Sequence, residues 1–248
     1  MICTGLSCIL IALALILAGP LLGSLIGILI KPTRKVVSFS LGLAAGVMLA
    51  ISFLQLIPAS LKLGVVWISV VGFIDGFLLV MVIDMLLPHI HRITGVIDGK
   101  SKMKRTAILI TVGIALHNLP EGFAIASGMV STLKLGLLIA FGIAFHDIPE
   151  AIASTVPMYA ATRNRAKSFM ISCLTAIPTL IGFLLGYFLF KNISEPILAL
   201  IMSTTAGIMV YLTLDELIPT SREQGHNHFA SVGMMIGIIL ILLSNLLL

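Results

Sequence analysis

Eight apolar runs of about 20 residues, the length that roughly 30 Å of hydrocarbon requires, fall at about 9–30, 36–57, 64–87, 106–129, 134–158, 168–190, 196–218 and 229–248. Each predicts a membrane-spanning helix. Short connections carry the turn and breaker residues: Lys31-Pro32, Pro58 to Gly64, Pro88 to Arg105, Arg163-Asn164-Arg165, Asn192 to Pro196, and Pro219 to His228. No stretch reads as a separate soluble domain, so the expectation is one all-α integral membrane domain over residues 1–248. Met1 to Cys8 carry no basic residue ahead of the first run, and the start does not read as a cleaved secretory signal.

Composition agrees with the pattern. With 59% hydrophobic and 10% charged residues, the chain has too few polar side chains to clothe a soluble domain of its length. The net charge of +5 is distributed by side. Lys31, Arg34, Lys35, Arg92, Lys100, Lys102, Lys104, Arg105, Arg163, Arg165, Lys167 and Arg222 fall in the odd-numbered connections, and only Lys62, Lys134 and Lys191 fall in the even ones. Lys and Arg in short loops stay in the cytoplasm, which places both termini outside, most simply at the plasma (inner) membrane. Basic residues dispersed over short loops make no nucleic-acid surface. Cys3, Cys8 and Cys173 form neither a CxxC pair nor an even set, which argues against a disulfide framework or a thiolate metal site.

Two internal repeats add a symmetry. Ala44 to Ser60 in the second span matches Thr205 to Ser221 in the seventh, with seven identities in seventeen positions. One span runs outward and the other inward, so the repeat is inverted, as in transporters whose two halves exchange outward-open and inward-open shapes about a midplane site. The second repeat is shorter. Gly113-Ile114-Ala115-Leu116-His117-Asn118-Leu119-Pro120-Glu121 in the fourth span recurs as Gly142-Ile143-Ala144-Phe145-His146-Asp147-Ile148-Pro149-Glu150 in the fifth. Together they predict eight spans in a 3+2+3 arrangement, with spans 1–3 and 6–8 the inverted halves and spans 4 and 5 on the axis.

The short repeat carries the chemistry. Four residues make about one helical turn, so His117 with Glu121, and His146 with Glu150, each face one way. His117 lies 12 residues past Arg105 and His146 lies 12 past Lys134, which is about 18 Å into each helix and close to the midplane. Glu121, Asp147 and Glu150 would together cost about 8–10 kcal/mol there if unpaired, and no Lys or Arg lies at that depth in any span. A bound cation is the natural compensation; an internal hydrogen-bond network or a metal-independent, proton-linked carrier is the alternative. Pro120 and Pro149 lack an amide hydrogen and are expected to kink their helices, releasing the carbonyls of Leu116 and Phe145 as further oxygen donors. Imidazole with carboxylate suits Zn²⁺, Fe²⁺, Mn²⁺, Co²⁺ and Ni²⁺, and counts against Cu(I), Mg²⁺ and Ca²⁺.

His117-Asn118-Leu119-Pro120-Glu121-Gly122 and His146-Asp147-Ile148-Pro149-Glu150 resemble the ZIP family of divalent metal-ion transporters, which import zinc, iron and related ions into the cytoplasm. The resemblance extends over nearly the whole chain through the span count, the outside termini, Leu56-Ile57-Pro58 and Leu217-Ile218-Pro219 closing the second and seventh spans, and Asp84 with Pro88-His89 closing the third. It implies a binuclear centre between spans four and five. His117, Glu121, His146 and Glu150 would form its primary site, Asn118 and Asp147 would help a neighbouring one, and the glutamates would bridge. Two departures stand out. Family members often supply a sixth-span carboxylate just before a proline, where this chain has Thr175-Ala176-Ile177-Pro178, and the fifth-span phrase ends in Ala151 rather than Gly.

Further path residues are weaker candidates. Asp75 sits near the middle of the third span, and Met48 and Met209 occupy equivalent repeat positions. Gln55 near the outer mouth is equivalent to Glu216 near the inner one, beside Asp215. His89 with His91, and His226 with His228, lie in cytoplasmic loops where alternating histidines can accept a released ion. Glu195 before Pro196 reads as helix N-terminal chemistry.

The reading is a secondary transporter that imports a divalent transition metal, Zn²⁺ first, by alternating access. An inside-negative potential favours entry of two charges by about 4.6 kcal/mol per 100 mV, and no ATP-binding motif is present. An intramembrane metalloenzyme would want His-Glu-x-x-His, which is absent. Membrane lipid and the transported metal ion are the expected partners, with a homodimer left open; no resident cofactor and no nucleic acid are expected.

Overall fold

The computed structural model describes residues 5–29, 34–63, 66–86, 118–223 and 227–245, and every regular element among them is helical. In order these are α1 (Gly5–Leu29), α2 (Arg34–Ile51), α3 (Ile57–Leu63), α4 (Val66–Leu86), α5 (118–131), α6 (Leu133–Thr162), α7 (Arg165–Cys173), α8 (Ala176–Phe190), α9 (Glu195–Leu212), α10 (Ile218–Glu223) and α11 (Asn227–Asn245). A π-helical turn at Ser52–Leu56 joins α2 to α3, and another at Thr213–Leu217 joins α9 to α10. Among the described residues seven helical segments are long and apolar enough to cross a membrane. They overlap seven of the eight expected spans; the first half of the remaining one, 106–117, lies outside the described residues.

Two details differ from the sequence expectation. The sixth span is two helices rather than one, because α7 ends at Cys173 and the chain turns at Leu174-Thr175 before α8. The fifth is one continuous helix through Pro149 and Pro157, and Pro149, having no amide hydrogen, still leaves the Phe145 carbonyl without its usual donor. Cys8 is disulfide-bonded, although Cys173 is free.

Close helix contacts are made by glycine, as expected where lipid removes the hydrophobic drive between helices and only short-range packing brings them together. A Cβ at Gly46 of α2 would collide with the carbonyl of Met234 in α11, and one at Gly207 of α9 with the carbonyl of Phe73 in α4. Gly237 meets the Leu43 carbonyl and Gly76 meets the Thr204 carbonyl. In each pair of contacts both residues are displaced by the same 161 positions, so the repeat seen in the second and seventh spans extends to their partners, α4 and α11. Ser60 Oγ donates to the Ala199 carbonyl at 2.7 Å and Ser38 Oγ to the Ser221 carbonyl at 2.8 Å, the same two repeat positions with donor and acceptor exchanged.

A second seam holds α6. Gly19, Gly23 and Gly27 lie four apart on one face of α1, against Ala144 and Asp147, Ile148 and Ala151, and Thr155 respectively. Apolar side chains such as Trp67, Val71 and Ile74 of α4, and Phe188 and Leu189 of α8, point outward, the direction lipid would occupy.

Candidate metal centre

A helical hairpin builds the site. α5 and α6 are separated by Thr132 alone, whose hydroxyl accepts from the Leu135 amide at 3.1 Å and caps α6. Below that turn Gly128 and Gly136 face each other so closely that neither could carry a side chain without displacing its neighbour. The two helices therefore descend in contact, and residues near 118–121 come level with those near 146–150.

At that level lie Glu121, His146, Asp147 and Glu150, none more than 2% exposed. One donor atom from each lies within 4.8 Å of all the others. His146 Nε2 is 2.8 Å from Glu121 Oε1 and 3.4 Å from Asp147 Oδ1, so the imidazole bridges the two helices. Three carboxylates and an imidazole in a buried cluster carry up to three negative charges with a single nitrogen base between them. Asp147 has no hydrogen-bond partner for either oxygen among the described residues, and neither do His146 Nδ1 and the amide oxygen of Asn118. Buried polar atoms usually find partners, and a cation in the cluster would supply one to the oxygens. Hard and borderline donors of this kind suit Zn²⁺ and its first-row neighbours.

Asn118 lies three residues before Glu121 in α5. It is 1% exposed, and its Nδ2 donates to the Thr175 carbonyl at 2.6 Å, at the turn between α7 and α8. That orientation leaves Oδ1 for the other side. The sequence reading treated Thr175 only as the place where a carboxylate was missing; its main-chain role could not be read from residue type. α8 is held close to α5 by Gly122 against the Thr179 carbonyl and Gly182 against the Leu119 carbonyl.

The other sequence candidates are placed apart or not described. His117, His89, His91 and His226 lie outside the described residues. Asp75 points outward from α4 and does not join the cluster. Asp84 lies in the last turn of α4. Met48 is fully buried in α2, with the Thr213 hydroxyl 3.7 Å from its sulfur. Gln55 is buried on the first π turn, whereas Asp215 is exposed and Glu216 half-buried on the second. His228 is exposed in the first turn of α11. Glu195 occupies the first turn of α9 beside Pro196, the helix-start chemistry expected of it.

Comparison with known proteins shows the family. The profile of the family described as ZIP Zinc transporter matches residues 91–245. The chain is 37% identical over 246 residues to the Zinc transporter ZupT of Chlorobium luteolum, covering 92% of each chain. It is 38% identical over 239 residues to that of an Enterobacter species, covering 93% of each. It is 40% identical over 235 residues to that of Salmonella newport, covering 92% of this chain and 91% of the relative. With the profile spanning more than half of the sequence and these relatives matched nearly end to end, the chain belongs to the ZIP zinc transporter family.

Proposed function

We propose that this protein imports divalent transition-metal ions, Zn²⁺ foremost, into the cytoplasm by alternating access. The ion passes through a midplane cage of Glu121, His146, Asp147 and Glu150, completed by His117 and the amide oxygen of Asn118. Both termini lie outside the plasma membrane, and the spans form a 3+2+3 inverted arrangement with α5 and α6 between the halves. The observation that carries this reading is the gathering of four potential donor atoms within 4.8 Å of one another, all buried, three of them on a helix long and apolar enough to cross a membrane. Support for the inverted halves comes from the glycine contacts that recur at one displacement along the chain. The exposed Asp215 and half-buried Glu216 make the mouth on their side acidic, and an acidic exit draws a cation out of the cage.

Uptake by vesicles reconstituted with the purified protein tests the proposal, with Zn²⁺, Fe²⁺, Mn²⁺ and Co²⁺ in competition. Saturable Zn²⁺ uptake that disappears in both His146→Ala and Glu150→Ala is expected. A metal-independent proton flux, or near-normal metal uptake in both variants, would overturn it.

A further inference from the structure

Two turns of this fold share a construction that the metal cage does not require. At Ser52–Leu56 and Thr213–Leu217, again 161 residues apart, the helix widens to π geometry. In each, the amide that follows, Ile57 or Ile218, donates five residues back to the carbonyl of Ser52 or Thr213. In each, the hydroxyl of that residue donates to the carbonyl four positions earlier, Met48 at 2.8 Å or Met209 at 2.7 Å. In each, a proline comes next, Pro58 or Pro219.

The chemistry explains the shape. A proline has no amide hydrogen and its ring crowds the carbonyl four residues back. Wider spacing moves that carbonyl aside, and the hydroxyl ties the start of the turn to the methionine carbonyl one turn back, which at Met209 also keeps the Thr213 amide. Such π turns concentrate at functional sites. These two also touch the working parts of the molecule. Thr213 Oγ1 reaches Met48 Sδ across the core, the first turn packs on α9, and the second packs on α2. Ile51, the last residue before the first turn, packs over Gly142, one helical turn before His146.

A turn of this kind is a register offset: losing it rotates one side of the helix against the other by about 100°. We infer that the two π turns are the switch segments of the transport cycle, exchanging between π and α register. Each re-aims the polar residue it carries, Gln55 on the first and Glu216 on the second, toward or away from the path to the cage. The inference rests on the transporter reading above. Because the turns are equivalent in the repeat, each serves one side of the membrane and every cycle passes through both. A π turn that merely accommodates its proline would instead leave uptake unchanged when the proline is replaced.

The test uses the full chain with Pro58→Ala and Pro219→Ala, each alone and combined with Ser52→Ala or Thr213→Val respectively. Equilibrium Zn²⁺ binding is measured in detergent, initial Zn²⁺ uptake in vesicles, and amide hydrogen exchange over 52–57 and 213–218 with and without Zn²⁺. Expected are a Kd within about threefold of the parent, uptake slowed at least about tenfold, and the two proline variants within about threefold of each other in rate. Zn²⁺ should change exchange in both segments of the parent, and in neither segment that has lost its proline. Unchanged uptake in either combined variant overturns the inference, as does loss of Zn²⁺ binding in step with uptake. Parent exchange unaffected by Zn²⁺ in either segment also overturns it, and that measurement needs no variant to fold. If the parent binds Zn²⁺ but vesicles take none up, the transporter reading fails instead, and the exchange result still decides whether the turns respond to metal.

Discussion

Glu121→Gln keeps the shape of a side chain that is 0% exposed and removes one negative charge from the cage. Since one donor atom from each of the four residues lies within 4.8 Å of the rest, a common centre is at most about 2.9 Å from each, and inward shifts of about 0.8 Å would reach Zn²⁺ bonding distances. At an effective dielectric of about 20, a divalent ion and a carboxylate at that range attract by about 11 kcal/mol. Holding both out of water returns several kcal/mol per ion, which leaves a net loss of about 3–5 kcal/mol, the usual cost of removing one partner from a buried charge pair. Three kcal/mol is about two decades of affinity, so the Zn²⁺ Kd should rise at least about 100-fold. Titration calorimetry on the purified protein reads this directly. Asp75→Asn serves as the control, because Asp75 points outward from α4 and its loss should leave Kd unchanged. A shift below about threefold in Glu121→Gln, or an equal loss in Asp75→Asn, would refute the cage as drawn.

Histidine binds metal only when neutral and carboxylates only when ionised, so lowering the external pH from about 7.5 to about 5.5 should raise the half-saturation concentration for uptake; a flat profile contradicts histidine ligation. Asp215→Asn combined with Glu216→Gln should slow maximal uptake while leaving the Kd of the cage within about twofold; if the rate is also untouched, these acids only solvate a helix end. Gly23→Ala would set a methyl group against the Ile148 carbonyl and the Ala151 side chain, forcing α1 away from α6 and costing about 1–3 kcal/mol. A thermal unfolding midpoint equal to that of the parent protein would rule out so close a seam.

Span positions and the His-x-x-x-Glu phrases are legible in the sequence because both are local. Bilayer thickness converts directly into run length, and helical pitch places residues four apart on one face whatever surrounds them. The repeat between Ala44–Ser60 and Thr205–Ser221 was visible for the same reason, but the π turn that each copy carries, between Ser52 and Pro58 and between Thr213 and Pro219, was not read from it. Tertiary structure decided which faces meet. His146 reaches Glu121 because a turn at Thr132 alone and the facing Gly128 and Gly136 bring α5 and α6 into register. Asn118 is oriented by a main-chain carbonyl at Thr175, which no residue type announces. Asp75, as polar and as deep in its apolar run as the cage residues, is exposed beside the seam that Gly72 and Gly76 make between α4 and α9. A helix is specified by bonds between near neighbours, but the side it presents depends on which distant backbones its small residues admit, and Gly46 meets Met234 only after the whole chain has folded.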